Sequence, residues 1–113
     1  MTEGPRTEDI IDIRDAADMA RRVLAAPGHT AVCFYADWCP DCRRFRATFA
    51  TLATEYAGRL RFARVDVQRL PDLESNYAIG LIPSVLLFEG GQVVQTWEFV
   101  ENPDKYRAVF CGL

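Results

Sequence analysis

The chain has 113 residues, 50% of them apolar and 26% charged, with a formal net charge of −3. That length suits one domain with a substantial core, and mild acidity argues against general nucleic-acid binding. No apolar run approaches the roughly 20 residues a membrane span requires, so no membrane segment is expected.

Residues 1–8 are polar and expected to be flexible. They lack the basic-then-apolar order of a signal peptide. The terminal Cys111-Gly112-Leu113 is one residue short of a prenylation box. A cytoplasmic location is expected. In that reducing compartment a cysteine pair points to catalysis or metal binding, not to a structural disulfide.

Ile10-Ile11-Asp12-Ile13 reads as a short strand. Asp15 is a candidate cap for a first helix, with Asp18 in its first turn and Ala16, Met19, Ala20, Val23 and Leu24 on one face. Pro27-Gly28 ends it. Thr30 to Ala36 reads as a buried strand. A second helix follows, with Phe45, Phe49, Leu52, Ala53 and Tyr56 at helical spacing and Gly58 at its C-terminal cap. Leu60 to Val67 is apolar on both parities, as in an interior strand. Pro71 to Ala78 reads as a short helix, with Gly80 beyond it. Pro83 opens the strand Ser84 to Phe88, Glu89-Gly90-Gly91-Gln92 signals a hairpin, and Val93 to Phe99 returns. Asn102-Pro103 starts a last helix with Tyr106, Val109, Phe110 and Leu113 on one face. The order βαβαβαββα predicts an α/β fold: a mixed central sheet flanked by helices on both faces.

Between the second strand and the second helix stands Trp38-Cys39-Pro40-Asp41-Cys42. This places Cys39 at the helix cap, where free N–H groups and the helix dipole favour a thiolate, and Cys42 about one turn in. Pro40 suits the first helical position, which needs no N–H donor. The pair reads as a dithiol that can be oxidised and reduced repeatedly. A zinc half-site is the bland alternative, but zinc needs about four ligands. The remaining candidates are Cys33, Cys111 and His29, with no second Cys-x-x-Cys, so no metal is expected. His29 follows Pro27-Gly28 and reads as solvated. Arg43, Arg44 and Arg46 read as a solvated helix face, or as a patch that steers acidic partners. Cys111 reads as a spectator, with a second redox switch as the alternative.

The order of elements, with this motif, Gly80-Leu81-Ile82-Pro83-Ser84-Val85-Leu86-Leu87-Phe88 and Gly90-Gly91-Gln92-Val93, resembles the thioredoxin family from about Ile10 to Phe110. The resemblance implies a thiol–disulfide oxidoreductase of the thioredoxin fold that reduces protein disulfides. Cys39 is then the exposed nucleophile and Cys42 the resolving thiol. Trp38, Pro40, Ile82 and Pro83 are the walls that receive substrate, with Pro83 cis and facing the dithiol. It implies disulfide-bearing protein substrates, an NADPH-linked reductase or another thiol donor as partner, no bound cofactor, and a monomer. A binding module of the same fold, whose dithiol is only a sensor, is the alternative.

Four positions are expected to modulate this chemistry. Asp41 stands where the family has proline, and its charge opposes a thiolate on Cys39. Cys33 takes the place of a buried aspartate six residues before the first cysteine, and a buried thiol is a poor base near neutrality. Arg64 takes the place of a lysine that pairs with that aspartate. Phe99 stands where a glycine borders the substrate groove. It is expected either to obstruct that groove or to turn into the core with Val93 and Trp97.

Overall fold

The apolar run after His29 becomes β2 (His29–Tyr35), the middle strand of a five-stranded sheet. The structure, a computed structural model, describes residues 10–113; the flexible start expected at residues 1–8 lies outside them. β1 (Ile10–Asp12), β3 (Arg61–Asp66), β4 (Ser84–Glu89) and β5 (Gln92–Trp97) complete the order β1-β3-β2-β4-β5. β1 and β2 run parallel to β3, whereas β4 is antiparallel to β2 and to β5. The mixed α/β architecture is the one expected.

Alternation along β2 sends Ala31 and Cys33 to one face and Val32 and Phe34 to the other, and all four are buried. On the first face, α2 (Pro40–Glu55) and α4 (Pro103–Phe110) pack Phe45, Phe49, Tyr106 and Phe110 against Phe62 and Trp97. Phe62 and Phe110 meet edge to face at 5.7 Å between centroids, a geometry that aligns ring edge with ring face. On the second face, Met19, Val23 and Leu73 cover Phe34 and Phe88. These three come from α1 (Ala16–Met19), the π-helical turn Ala20–Leu24 that continues it, and α3 (Pro71–Asn76).

Three details differ from the expected pattern. The first helix widens after Met19, where the Ala25 N–H reaches the Ala20 carbonyl at 2.9 Å. Within this helix Asp18 is buried while Ala16 and Ala20 are exposed. The Asp18 carboxylate accepts from the Arg14 N–H and pairs with Arg21, which satisfies the buried charge. The second difference is that β5 stops at Trp97. Phe88 faces Val93 while Leu87 faces Gln95, so Val94 is a bulged residue. The bulge puts Val93 and Trp97 on opposite faces, and Phe99 follows neither.

The third difference lies at the end of α3, where the left-handed residue is Ala78, at φ 53°, and not a glycine. The Ala78 N–H bonds the Ser75 carbonyl and the Ile79 N–H bonds the Glu74 carbonyl, closing a Schellman motif. A Cβ is unfavourable in this conformation by roughly 1 kcal/mol. Ala78→Gly should therefore raise the unfolding free energy by up to about 1 kcal/mol in urea denaturation. A loss of stability would show that the alanine methyl packs favourably enough to outweigh its strain.

Candidate active site

β2 ends at Tyr35, and the chain turns at once into α2. The Cys39 N–H bonds the Ala36 carbonyl at 3.2 Å, which closes that turn. Cys39 is the N-cap of α2, and its sulfur accepts the Cys42 N–H at 3.2 Å. A sulfur here does the work of a capping oxygen. Pro40 fills the first helical position and Trp38 projects outward, 60% exposed. Across from the motif, the Ile82–Pro83 peptide is cis. The Cys39 thiol points at the Ile82 carbonyl, 3.9 Å away. The Ser84 hydroxyl donates to the Leu81 carbonyl at 2.5 Å and so braces this loop.

The structure thus brings together Trp38, Cys39, Pro40, Asp41, Cys42, Ile82 and Pro83. It corrects one expectation: Cys39 is not an exposed thiol. It is 5% exposed and Cys42 is 6% exposed, so the two are equally covered. Cover on Cys39 comes from a loop about forty residues away in sequence, whose Ile82 carbonyl meets the sulfur. Burial, followed by the hydrogen bond to Cys39, pushes the Cys42 thiol well above the ordinary range.

Cys33 lies behind the pair. It lines, with Cys42, Tyr35, Phe45, Arg46 and Arg64, a cavity of about 20 Å³. Burial, and then the charge Cys42 would carry, push the Cys33 thiol far up. Arg64 acts weakly in the opposite sense, because its guanidinium pairs with Asp12 and lies 5.6 Å over the Tyr35 ring. The motif's own charges are likewise committed. Asp41 pairs with Arg44, and Asp37 engages Arg46 at 3.5 Å and Arg43 through its carbonyl at 3.1 Å. Arg44 offsets the Asp41 charge beside Cys39.

Phe99 lies past the end of β5. It is in the left-handed region at φ 60° and is 39% exposed, so it neither extends β5 nor enters the core. It shares a cleft with Asp41. Two further residues escape a sequence reading. Tyr106, identified as a core position, is fully buried with a hydroxyl that has no hydrogen-bond partner among the described residues, and burial pushes that phenol up. Val100 is 45% exposed, and the apolar pair Phe99-Val100 between Glu98 and Glu101 is the signal that marks it. Among the described residues, no group of three or more His, Cys, Asp or Glu side chains is arranged to hold a metal, and no helix is long and apolar enough to cross a membrane.

A mixed five-stranded sheet with a Cys-x-x-Cys at the N-cap of its longest helix and a cis-proline loop facing it defines a dithiol protein of the thioredoxin fold. The thioredoxin family model matches residues 11–109. The chain is 32% identical over 80 residues to a thioredoxin of Rhodospirillum rubrum, covering 71% of this chain and 77% of that one. It is 32% identical over 84 residues to the chloroplastic thioredoxin M5 of Oryza sativa subsp. japonica, covering 74% of this chain and 49% of that one. The chain therefore spans about half the length of its plant relatives. The crystal structure of a Malassezia sympodialis thioredoxin superposes with a TM-score of 0.85 at 21% identity, covering 99% of this chain and 96% of that one. The chain belongs to the thioredoxin family.

The surroundings of Cys33 generate a stability prediction. A carboxylate there would be desolvated, with Arg64 already paired to Asp12. Cys33→Asp should lower the unfolding free energy at pH 7 by about 2 kcal/mol or more, and Cys33→Ala by roughly 1–2 kcal/mol. A buried carboxyl has a raised pKa, so the aspartate's penalty should shrink as pH falls through its folded value toward the unfolded one near ~3.9. Urea denaturation across pH checks this. An aspartate variant as stable as the parent at pH 7 would mean that Arg64 swings to pair with it.

Proposed function

We propose that this protein is a thiol–disulfide oxidoreductase that reduces disulfides in protein substrates as a single-domain monomer in a reducing compartment such as the cytoplasm. The observation that carries the proposal is the Cys39 sulfur at the α2 N-cap, one turn from Cys42 and facing the Ile82 carbonyl. The Cys39 thiolate attacks one sulfur of the substrate disulfide. The S–S bond breaks, Cys39 and that sulfur form a mixed disulfide, and the other substrate sulfur leaves as a thiolate and takes a proton. Cys42 then loses its proton and attacks the Cys39 sulfur. The second substrate sulfur leaves and is protonated, and Cys39–Cys42 becomes a disulfide. Two electrons have passed to the substrate. An NADPH-linked reductase or another thiol donor restores the dithiol.

Trp38, Pro40, Ile82 and Pro83 receive the substrate. The Ile82 backbone beside Cys39 supplies polar groups for an extended chain. Since Cys39 is covered in the resting protein, attack requires substrate to displace the contact with Ile82. This same cover favours a second reading, a binding module whose dithiol acts only as a sensor.

Insulin reduction with dithiothreitol as donor separates the two. Multiple turnovers are expected, and Cys39→Ser should reduce them roughly a thousandfold or more. Cys42→Ser should accumulate a mixed disulfide visible by mass spectrometry. Stoichiometric oxidation without turnover would favour the sensor.

A second expected outcome concerns pH. The raised Cys42 thiol makes the resolving step gain rate with rising pH, up to about tenfold per unit while deprotonation limits it. Cys33→Asp supplies a base behind Cys42 and should flatten that slope near neutrality, whereas Cys33→Ala should retain most turnover. If Cys33→Ala abolishes turnover in a folded protein, Cys33 takes a direct part in the chemistry.

A further inference from the structure

Beside the dithiol lies a cleft that its chemistry does not use. One wall is the face of α2 formed by Asp41, Arg44, Phe45 and Thr48, three and four residues apart. The other is the loop after β5, with Phe99 and Val100. The volume between them is about 320 Å³. Asp41, which stands between the two cysteines, lines it. Larger clefts of about 420 and 510 Å³ lie along β5, but neither includes a residue of the cysteine motif.

Phe99 and Val100 are 39% and 45% exposed on a loop bordering this site. Leu81 and Trp38, also exposed, stand on the other segments that bound the dithiol. β5 ends at Trp97, and the left-handed turn at Phe99 leaves the phenyl group lining this cleft beside α2 instead of entering the core. Charge limits the occupant. Asp41 and Arg44 offset each other, whereas Glu101 has no cation partner among the described residues. An acidic side chain is therefore disfavoured and an apolar one is not.

We propose that the Phe99–Val100 loop and the outer face of α2 form a side-chain pocket that selects protein disulfides carrying a bulky apolar residue close in sequence to the attacked cysteine. Such a preference presupposes that the substrate is a protein disulfide. Phe99 thereby has two effects. It denies the flat backbone path a glycine would leave, and it supplies a wall for one side chain of the substrate. Desolvating that side chain against Phe99 and Val100 favours the bound complex by about fivefold or more over glycine.

The test uses the full chain with dithiothreitol as donor and a set of peptides, each in mixed disulfide with glutathione. Leu, Gly or Glu is placed one, two or three residues from the cysteine on either side. At one or more positions kcat/KM should follow Leu over Gly by about fivefold or more, with Glu below Gly. Phe99→Asn accepts the left-handed backbone, and Thr48→Asp charges the opposite wall. In each, the Leu-to-Gly ratio at that position should fall to within about twofold. A parent enzyme that treats Leu and Gly alike at every position overturns the pocket. So does a ratio that survives both substitutions. Reduction of a small aromatic disulfide by the parent separates this failure from failure of the oxidoreductase reading. Turnover of that probe with no peptide preference rejects the pocket alone, and no turnover of any disulfide rejects both.

Discussion

A helix of sixteen residues begins on a sulfur atom. The cap that starts α2 is the side chain of Cys39, and the N–H it accepts belongs to Cys42, so one contact organises both the fold and the site. Its position depends on β2. That strand is buried on both faces and paired on both edges, which fixes where its last residue releases the chain into the turn. The neighbouring strand β4 hydrogen-bonds to β2 and begins just after Pro83. The loop that covers the sulfur is therefore placed by the same strand that presents it. Capping also links redox state to structure, because the sulfur that starts the helix is the one that would enter a disulfide with Cys42.

Polar groups around the site are satisfied locally, with consequences for proton movement. Asp41, Asp37 and Arg64 each engage an opposite charge a short distance away. What remains behind Cys42 is mostly apolar: the Cys33 thiol and a small cavity whose two arginines, Arg46 and Arg64, are already paired. The thiol is not a base near neutrality, since burial raises it. A carboxylate would serve as one but would weaken the core that Cys33 helps to fill. The thiol fits the apolar surroundings at the expense of a ready proton acceptor.

The sequence made the centre of this molecule legible because independent local signals coincide there. After Ala36 a continuous apolar run gives way to helical spacing, Pro40 stands where a helix needs no donor, and Cys39 and Cys42 flank it. The hairpin and the start of the last helix were likewise written in Gly90-Gly91 and Asn102-Pro103. Features set by contact across the fold were not legible. The cover on Cys39 depends on Ile82, which no local pattern places against it. The first helix widens into the π turn Ala20–Leu24, which its apolar spacing does not announce. For Phe99, alternation assumed an unbroken strand, but a single extra residue at Val94 parts the faces of Val93 and Trp97, and the strand ends before Phe99. The left-handed turns at Ala78 and Phe99 carried no glycine to signal them.

That extra residue has another effect, on how molecules meet each other. β5 is an outer strand of the sheet, and Gln92-Val93-Val94-Gln95-Thr96-Trp97 contains no charge and no proline. A straight strand of this composition would offer its free backbone groups as a template for stacking, the first step toward fibrils. The bulge interrupts the regular spacing of those groups near the strand's middle and twists it away from flatness. Deleting Val94 would straighten the edge, so the residue that spoils the alternation also keeps neighbouring copies from zipping together.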